Sequence, residues 1–143
     1  MRKAAFLLMA IKILLVEDTA ESRDILTILL EREGFDVAVA SNGYEGIKNT
    51  FAEQPDLVIT DLTMPGMNGV DMIKVLRSIE EFEQVPILAV TAYGIEIAQT
   101  AIAAGANRVL AQPLEAHTLL SVVEDLMKEK RSGQSASSQT TSS

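Results

Sequence analysis

The 143 residues are 48% hydrophobic and 22% charged, enough apolar material for one packed core and too little chain for two ordinary ones. Acidic residues outnumber basic ones 20 to 12, and no run of lysine or arginine exists to track a phosphate backbone, so direct nucleic-acid binding is not expected at a net charge of −8. The absence of cysteine excludes disulfides and thiolate metal sites, while the acidic balance favours cationic partners and, where carboxylates converge, divalent metal.

The opening MRKAAFLLMAIKILLVED joins a basic start to an apolar run, as a secretory signal does. Lys12 interrupts that run, no small-residue cleavage site follows, and residues 13–16 are needed as a strand. The run is also too short and too broken to cross a membrane. Residues 1–8 therefore read as an extension outside the fold, residues 9–130 as the domain, and RSGQSASSQTTSS, residues 131–143, as a flexible polar tail. The expected location is the cytoplasm, with no membrane association.

Within the domain, short β-branched runs alternate with longer helical periods. Residues 11–16 form a first strand. Residues 18–33 follow as a helix, with Ile25, Leu26, Ile28, Leu29 and Leu30 at helical spacing and Gly34 to end it. A strand at 35–40 and a short helix at 44–52 come next, then a third strand at 57–60. Residues 70–79 place Val70, Ile73 and Leu76 on one helical face, and the acidic stretch Glu80, Glu81 and Glu83 reads as a solvated loop. A fourth strand at 86–90, an alanine-rich helix at 95–104 closed by Gly105, a fifth strand at 108–111 and a last helix at 115–130 complete the series. Five strands alternating with five helices predict an α/β domain, a doubly wound five-stranded parallel sheet with helices on both faces. Such sheets bind ligands at the carboxyl ends of their strands.

Those ends carry Glu17 and Asp18, then Asp61, then Thr91 and Ala92, then Gln112 and Pro113. Convergence would bring three carboxylates and a hydroxyl into one cleft, where mutual repulsion raises proton affinity unless a cation intervenes. Oxygen ligands of this hardness suit Mg²⁺, and a carboxylate beside such a metal can attack phosphorus to form an acyl phosphate. Each residue alone has a plainer reading. Asp18 can cap the next helix with Glu21 as partner, Asp61 can be an exposed strand-end acid, and Thr91 a β-branched strand residue. Met64 and Met67 read as loop packing, and His117, the only histidine, as a surface residue. A glycine-rich dinucleotide turn is missing from EDTAES, and GxxxxGK[ST] is absent. Aspartyl phosphatases of another α/β family place a second aspartate two residues after the nucleophile; Thr63 stands there, which argues against turnover of an external phosphoester.

The motifs LLVED, DLTMPGMNG, VTA and QP, in this order, make residues 11–128 similar to the receiver domain of two-component response regulators. The resemblance implies a flavodoxin-like strand order 2-1-3-4-5. It implies Asp61 as phosphoacceptor, Glu17 and Asp18 as the acid pocket, and Mg²⁺ on Asp18, Asp61 and the Thr63 backbone carbonyl. Thr91 would bond a phosphoryl oxygen, Ala92 would leave room for it, and Pro65 and Gly69 would shape the loop after Asp61. The implied partners are a sensor histidine kinase or a histidine phosphotransfer protein. The implied output is protein contact by a stand-alone regulator, through the face built from the fourth helix, fifth strand and last helix.

Two positions depart from the family. Gln112 occupies the place of a lysine whose charge-assisted bond to a phosphoryl group is worth about 1.5–3 kcal/mol, and Arg108 lies roughly 13 Å back along the strand. Val109 replaces an aromatic residue that reports phosphorylation together with the threonine. Tyr93 sits near the cleft mouth, in a position to gate access. Two functions follow: a phosphorylatable regulator with altered switch coupling, or a receiver-like protein-binding module that works without phosphate.

Overall fold

In the computed structural model, residues 10–92 and 94–140 are described, residues 131–140 in backbone alone. The five apolar runs become β1 (Lys12–Val16), β2 (Asp36–Ala40), β3 (Leu57–Asp61), β4 (Ile87–Thr91) and β5 (Arg108–Ala111). They pair in parallel in the order β2-β1-β3-β4-β5, as the resemblance implies. Between them run α1 (Ala20–Arg32), α2 (Gly43–Glu53), α3 (Gly69–Arg77), α4 (Ile95–Ala104) and, after β5, α5 (Ala116–Thr140).

Side chains of a strand alternate between faces, so the central strands feed two separate cores. Leu14, Val16 and Val58 pack with Met72, Ile73 and Leu76 of α3 and Ala101 of α4. Ile13, Leu15, Leu57 and Ile59 pack on the other face with Leu30 of α1 and Leu119 and Val123 of α5. Burial on both faces is why β1, β3 and β4 are mostly apolar and lack the alternation of a half-exposed strand. Gly34 (φ +97°) and Gly105 (φ +126°) close α1 and α4 in a backbone region that favours glycine.

Several boundaries differ from expectation. α1 begins at Ala20, with Thr19 as N-cap and no side-chain cap bond, so the pairing of Asp18 with Glu21 does not form. The Thr19 N–H instead donates to Glu17 Oε2 at 3.1 Å, which holds residues 17–19 out of the helix. β3 and β4 each run one residue further, through Asp61 and Thr91, because the ladder continues: Leu62 N–H donates to the Val90 carbonyl at 3.0 Å and Gln112 N–H to that of Thr91 at 2.8 Å. α3 stops at Arg77, whose half-buried guanidinium donates to the carbonyls of Gly105 (3.0 Å) and Phe82 (2.8 Å) and to Asn107 Oδ1 (2.9 Å).

The acidic stretch is a 3₁₀ turn, Glu80–Phe82, not an open loop. Its anchor is Phe82, fully buried and edge-to-face with Phe51 at 4.8 Å between ring centres. The backbone of α5 continues to Thr140, where a flexible tail is expected; the added residues contain one glycine and no proline, so helix propagation meets no break. The expectations for residues 1–8 and for Tyr93 fall outside the described residues. Among the described residues no helix is long and apolar enough to cross a membrane.

Candidate functional site

Because all five strands run the same way, their carboxyl ends share one edge. Val16 sits opposite Thr60, so the residues that follow, Glu17 and Asp61, emerge side by side, with Asp61 paired to Val90 on its other flank. Carboxylate oxygens of Glu17, Asp18 and Asp61 lie within 4.8 Å of one another. That meets the expected convergence of three acids. Thr91 ends the neighbouring strand, buried at 3% exposure.

Backbone donors fix the cluster. Glu17 is buried at 5% exposure, accepts the Thr19 N–H through its side chain, and accepts Arg23 Nη1 at its backbone carbonyl at 2.9 Å, which ties α1 to the acid loop. Asp61 Oδ1 accepts the Thr63 N–H at 3.2 Å, and Gly69 N–H closes the loop onto the Leu62 carbonyl at 3.0 Å. A Cβ on Gly69 would strike the Asp61 carbonyl oxygen and stand 2.8 Å from Leu62 Cα, so the loop can return this tightly only through glycine. Asn68 then starts α3, its Oδ1 accepting the Asp71 N–H at 2.9 Å.

Burial pushes the Glu17 carboxyl up to about 7, against the lowering effect of the Thr19 N–H, and the Asp61 and Asp18 charges raise it further. Asp61 is also raised, first by burial and then by the Asp18 charge, while the N–H groups of Thr63 and Leu62 pull the other way. A cluster that resists full ionisation is one that a cation would relieve. Three hard oxygens this close fit Mg²⁺.

Gln112 and Ala92 join Glu17 and Asp61 in lining a cleft of about 510 Å³. Its walls are Ile25 and Leu26 of α1 with Pro113 and Leu114 beyond β5. Val109 faces the core under α2, α3 and α4, half-buried. Arg108 is engaged elsewhere, 2.7 Å from Glu129 of α5, and so does not replace the cation that Gln112 lacks. Met64 is buried and His117 exposed, as expected.

Two contributors escape sequence reasoning. Arg23 looks like any polar helix residue until its reach to the Glu17 carbonyl is seen. The apolar cleft wall is hidden within the α1 stripe that reads as core; of that stripe only Leu30 is fully buried, while Ile25 and Ile28 are 59% and 56% exposed. An unusually wide apolar stripe was the available signal.

A 2-1-3-4-5 parallel sheet with an acid cluster at its carboxyl edge and a threonine on the adjoining strand end is the arrangement of a CheY-like, flavodoxin-type domain. Comparison with known proteins agrees. Residues 13–124 match the family described as response regulator receiver domain, and the chain belongs to that family. Such domains are signalling modules of two-component systems, not enzymes. An uncharacterized 14.6 kDa protein from the sodA1 3′ region of Leptolyngbya boryana is 36% identical over 113 residues, covering 78% of this chain and 86% of its own. A transcriptional regulatory protein, the CpxR homolog of Haemophilus influenzae, is 34% identical over 122 residues, 85% of this chain; the chain spans only 52% of that regulator's length. Among solved structures, the chemotaxis response regulator CheY4 of Vibrio cholerae superposes with a TM-score of 0.78 at 29% identity, covering 82% of this chain and 98% of that one.

Proposed function

We propose that this receiver accepts a phosphoryl group on Asp61 from a phosphohistidine of a sensor histidine kinase or a histidine phosphotransfer protein in the cytoplasm. The observation that carries this reading is the triangle of Glu17, Asp18 and Asp61 oxygens within 4.8 Å, pinned by backbone donors at the mouth of an open cleft. Asp18, Asp61 and the Thr63 carbonyl would hold Mg²⁺, with Glu17 completing the acid pocket. When bound, the ion offsets charge on the transferring group.

An Asp61 oxygen attacks phosphorus, an O–P bond forms, the P–N bond to the donor imidazole breaks, and that imidazole nitrogen takes up a proton. Ala92 leaves space for the group, and the Thr91 hydroxyl bonds one of its oxygens. The new charge biases the loop after Thr91 and the surface of α4, β5 and α5, and protein contacts there transmit the signal as a shift of population.

Intact mass after incubation with a small-molecule phosphodonor and Mg²⁺ tests this directly. Gain of one phosphoryl group that is lost in Asp61→Asn and in chelator is the expected result. Gln112 and Val109 favour a second reading, a phosphate-independent binding module. An unmodified mass, with metal binding confirmed separately, selects it.

A further inference from the structure

Among the described residues that line the cleft, Glu17 and Asp61 are the only ionisable ones, and both are acids. Of the described arginines, Arg23 directs its Nη1 to the Glu17 backbone carbonyl and not to a carboxylate, Arg108 pairs with Glu129, and Arg77 lies on carbonyls at the opposite end of the sheet. A phosphoryl group on Asp61 replaces that carboxylate's charge with about −1.5 to −2, so beside the carboxylates of Glu17 and Asp18 even a divalent ion leaves the cluster net negative. Gln112 offers a neutral amide. Its carbonyl oxygen is an acceptor, which suits an incoming N–H donor as an ammonium of its own would not.

The rest of the cleft has the opposite character. Ile25, Leu26, Pro113 and Leu114 form an apolar wall leading to the acids, the shape that accommodates an alkyl stem with a charged head. Ile25, Leu26 and Leu114 also line an adjoining groove of about 400 Å³ between α1 and α5, with Ile28, Leu29 and Leu119 and the one charged residue Arg32. A partner seated along that groove reaches the cleft over the shared apolar side chains Ile25, Leu26 and Leu114.

We propose that the cleft receives a lysine side chain of the partner protein, its stem against Ile25, Leu26 and Leu114 and its ammonium between the Asp61 phosphoryl group and the Gln112 amide oxygen. This rests on the reading of Asp61 as phosphoacceptor. The missing positive charge is thereby supplied by the partner, and the phosphorylated domain is electrostatically complete only in the complex.

The test uses the full chain with Mg²⁺ and beryllofluoride as phosphoryl mimic, titrated with n-butylamine as the lysine side-chain probe and with n-butanol as its neutral counterpart. Fluorine resonances of bound beryllofluoride report on the acceptor site by themselves, and amide shifts at Ala92, Leu114 and the Gln112 side chain report on the cleft. The expected result is n-butylamine binding about ten-fold more tightly than n-butanol at those residues. That preference falls to about two-fold or less in Gln112→Lys, whose own ammonium fills the place, and rises in Gln112→Glu. Bound beryllofluoride with equal affinities for the two probes, with shifts elsewhere, or with a preference unchanged in both variants overturns the lysine cleft while leaving the acceptor intact. Absence of bound beryllofluoride overturns both.

Discussion

Gly69→Ala is the sharpest test of how the fold positions Asp61. The added Cβ would lie 2.8 Å from Leu62 Cα and 3.1 Å from the Asp61 carbonyl carbon, and would press on the Asp61 carbonyl oxygen. All three are backbone atoms of the strand end, so no side chain can swing aside. Relief requires the loop to move outward, which also stretches the 3.0 Å bond from the Gly69 N–H to the Leu62 carbonyl. Overpacking of this kind costs about 1–3 kcal/mol, and a weakened hydrogen bond adds about 0.5–1.5 kcal/mol, so the total is about 1.5–4.5 kcal/mol. Alanine's better helix propensity at the start of α3 recovers less than about 1 kcal/mol. Urea unfolding should show the midpoint lowered by about 1–2 M at unchanged slope. Beryllofluoride affinity should fall alongside it, because the moving atoms carry the Asp61 carboxylate. A midpoint within about 0.3 M of wild type would refute the claim that glycine is sterically required there. Gly94→Ser serves as an opposite control: no atom lies within 4 Å of its Cβ, and it is the N-cap of α4 without a side-chain cap bond, so a gain of about 0.5 kcal/mol is expected.

Arg77→Met should lose about 2–4 kcal/mol in the same assay, since it strips the donor from the Gly105 and Phe82 carbonyls and from Asn107 Oδ1 at once; a loss below about 1 kcal/mol would mean water replaces those bonds freely. In metal-free protein, the Glu17 carboxyl, raised from 4.5 to about 7, keeps a proton that the unfolded chain releases, so stability falls as pH rises through that window. The shift from 4.5 to about 7 bounds this contribution at about 3–4 kcal/mol, and Glu17→Gln should flatten the slope in urea unfolding between pH of about 5 and 7.5; an unchanged slope would assign it to other groups. Gln112→Lys should enlarge the phosphate-linked shifts on α4, β5 and α5 in paired spectra of phosphorylated wild type and mutant, and equal shifts would show that the Gln112 position does not limit coupling.

Much of this molecule was legible before folding was considered. The alternation of apolar runs and helical periods was enough for a five-stranded doubly wound domain, because burial on both faces keeps β1, β3 and β4 mostly apolar, with threonines as the polar residues buried in β3 and β4. The strand ends stood out for the same reason: Glu17, Asp18 and Asp61 each interrupt a run that burial would otherwise extend. Misread boundaries were those decided by long-range bonds. Asp18 has the local sequence of a helix cap, yet its neighbours are held by the Glu17 side chain and Arg23, and α1 starts two residues later. Glu80 to Glu83 has the composition of a loop, yet one buried ring, Phe82 against Phe51, orders it.

By itself, then, the sequence determined the layered α/β fold, the acid and hydroxyl residues at the strand ends, and the absence of a lysine at Gln112, because hydrophobic period and residue chemistry are local properties. Tertiary structure alone decided that three acids meet within 4.8 Å, that burial lifts Glu17 to about 7, and that the α1 stripe turns Ile25 and Leu26 into a cleft wall beside Gln112. Those outcomes depend on distances between segments far apart in the chain, and such distances are set only when the sheet registers and the helices pack.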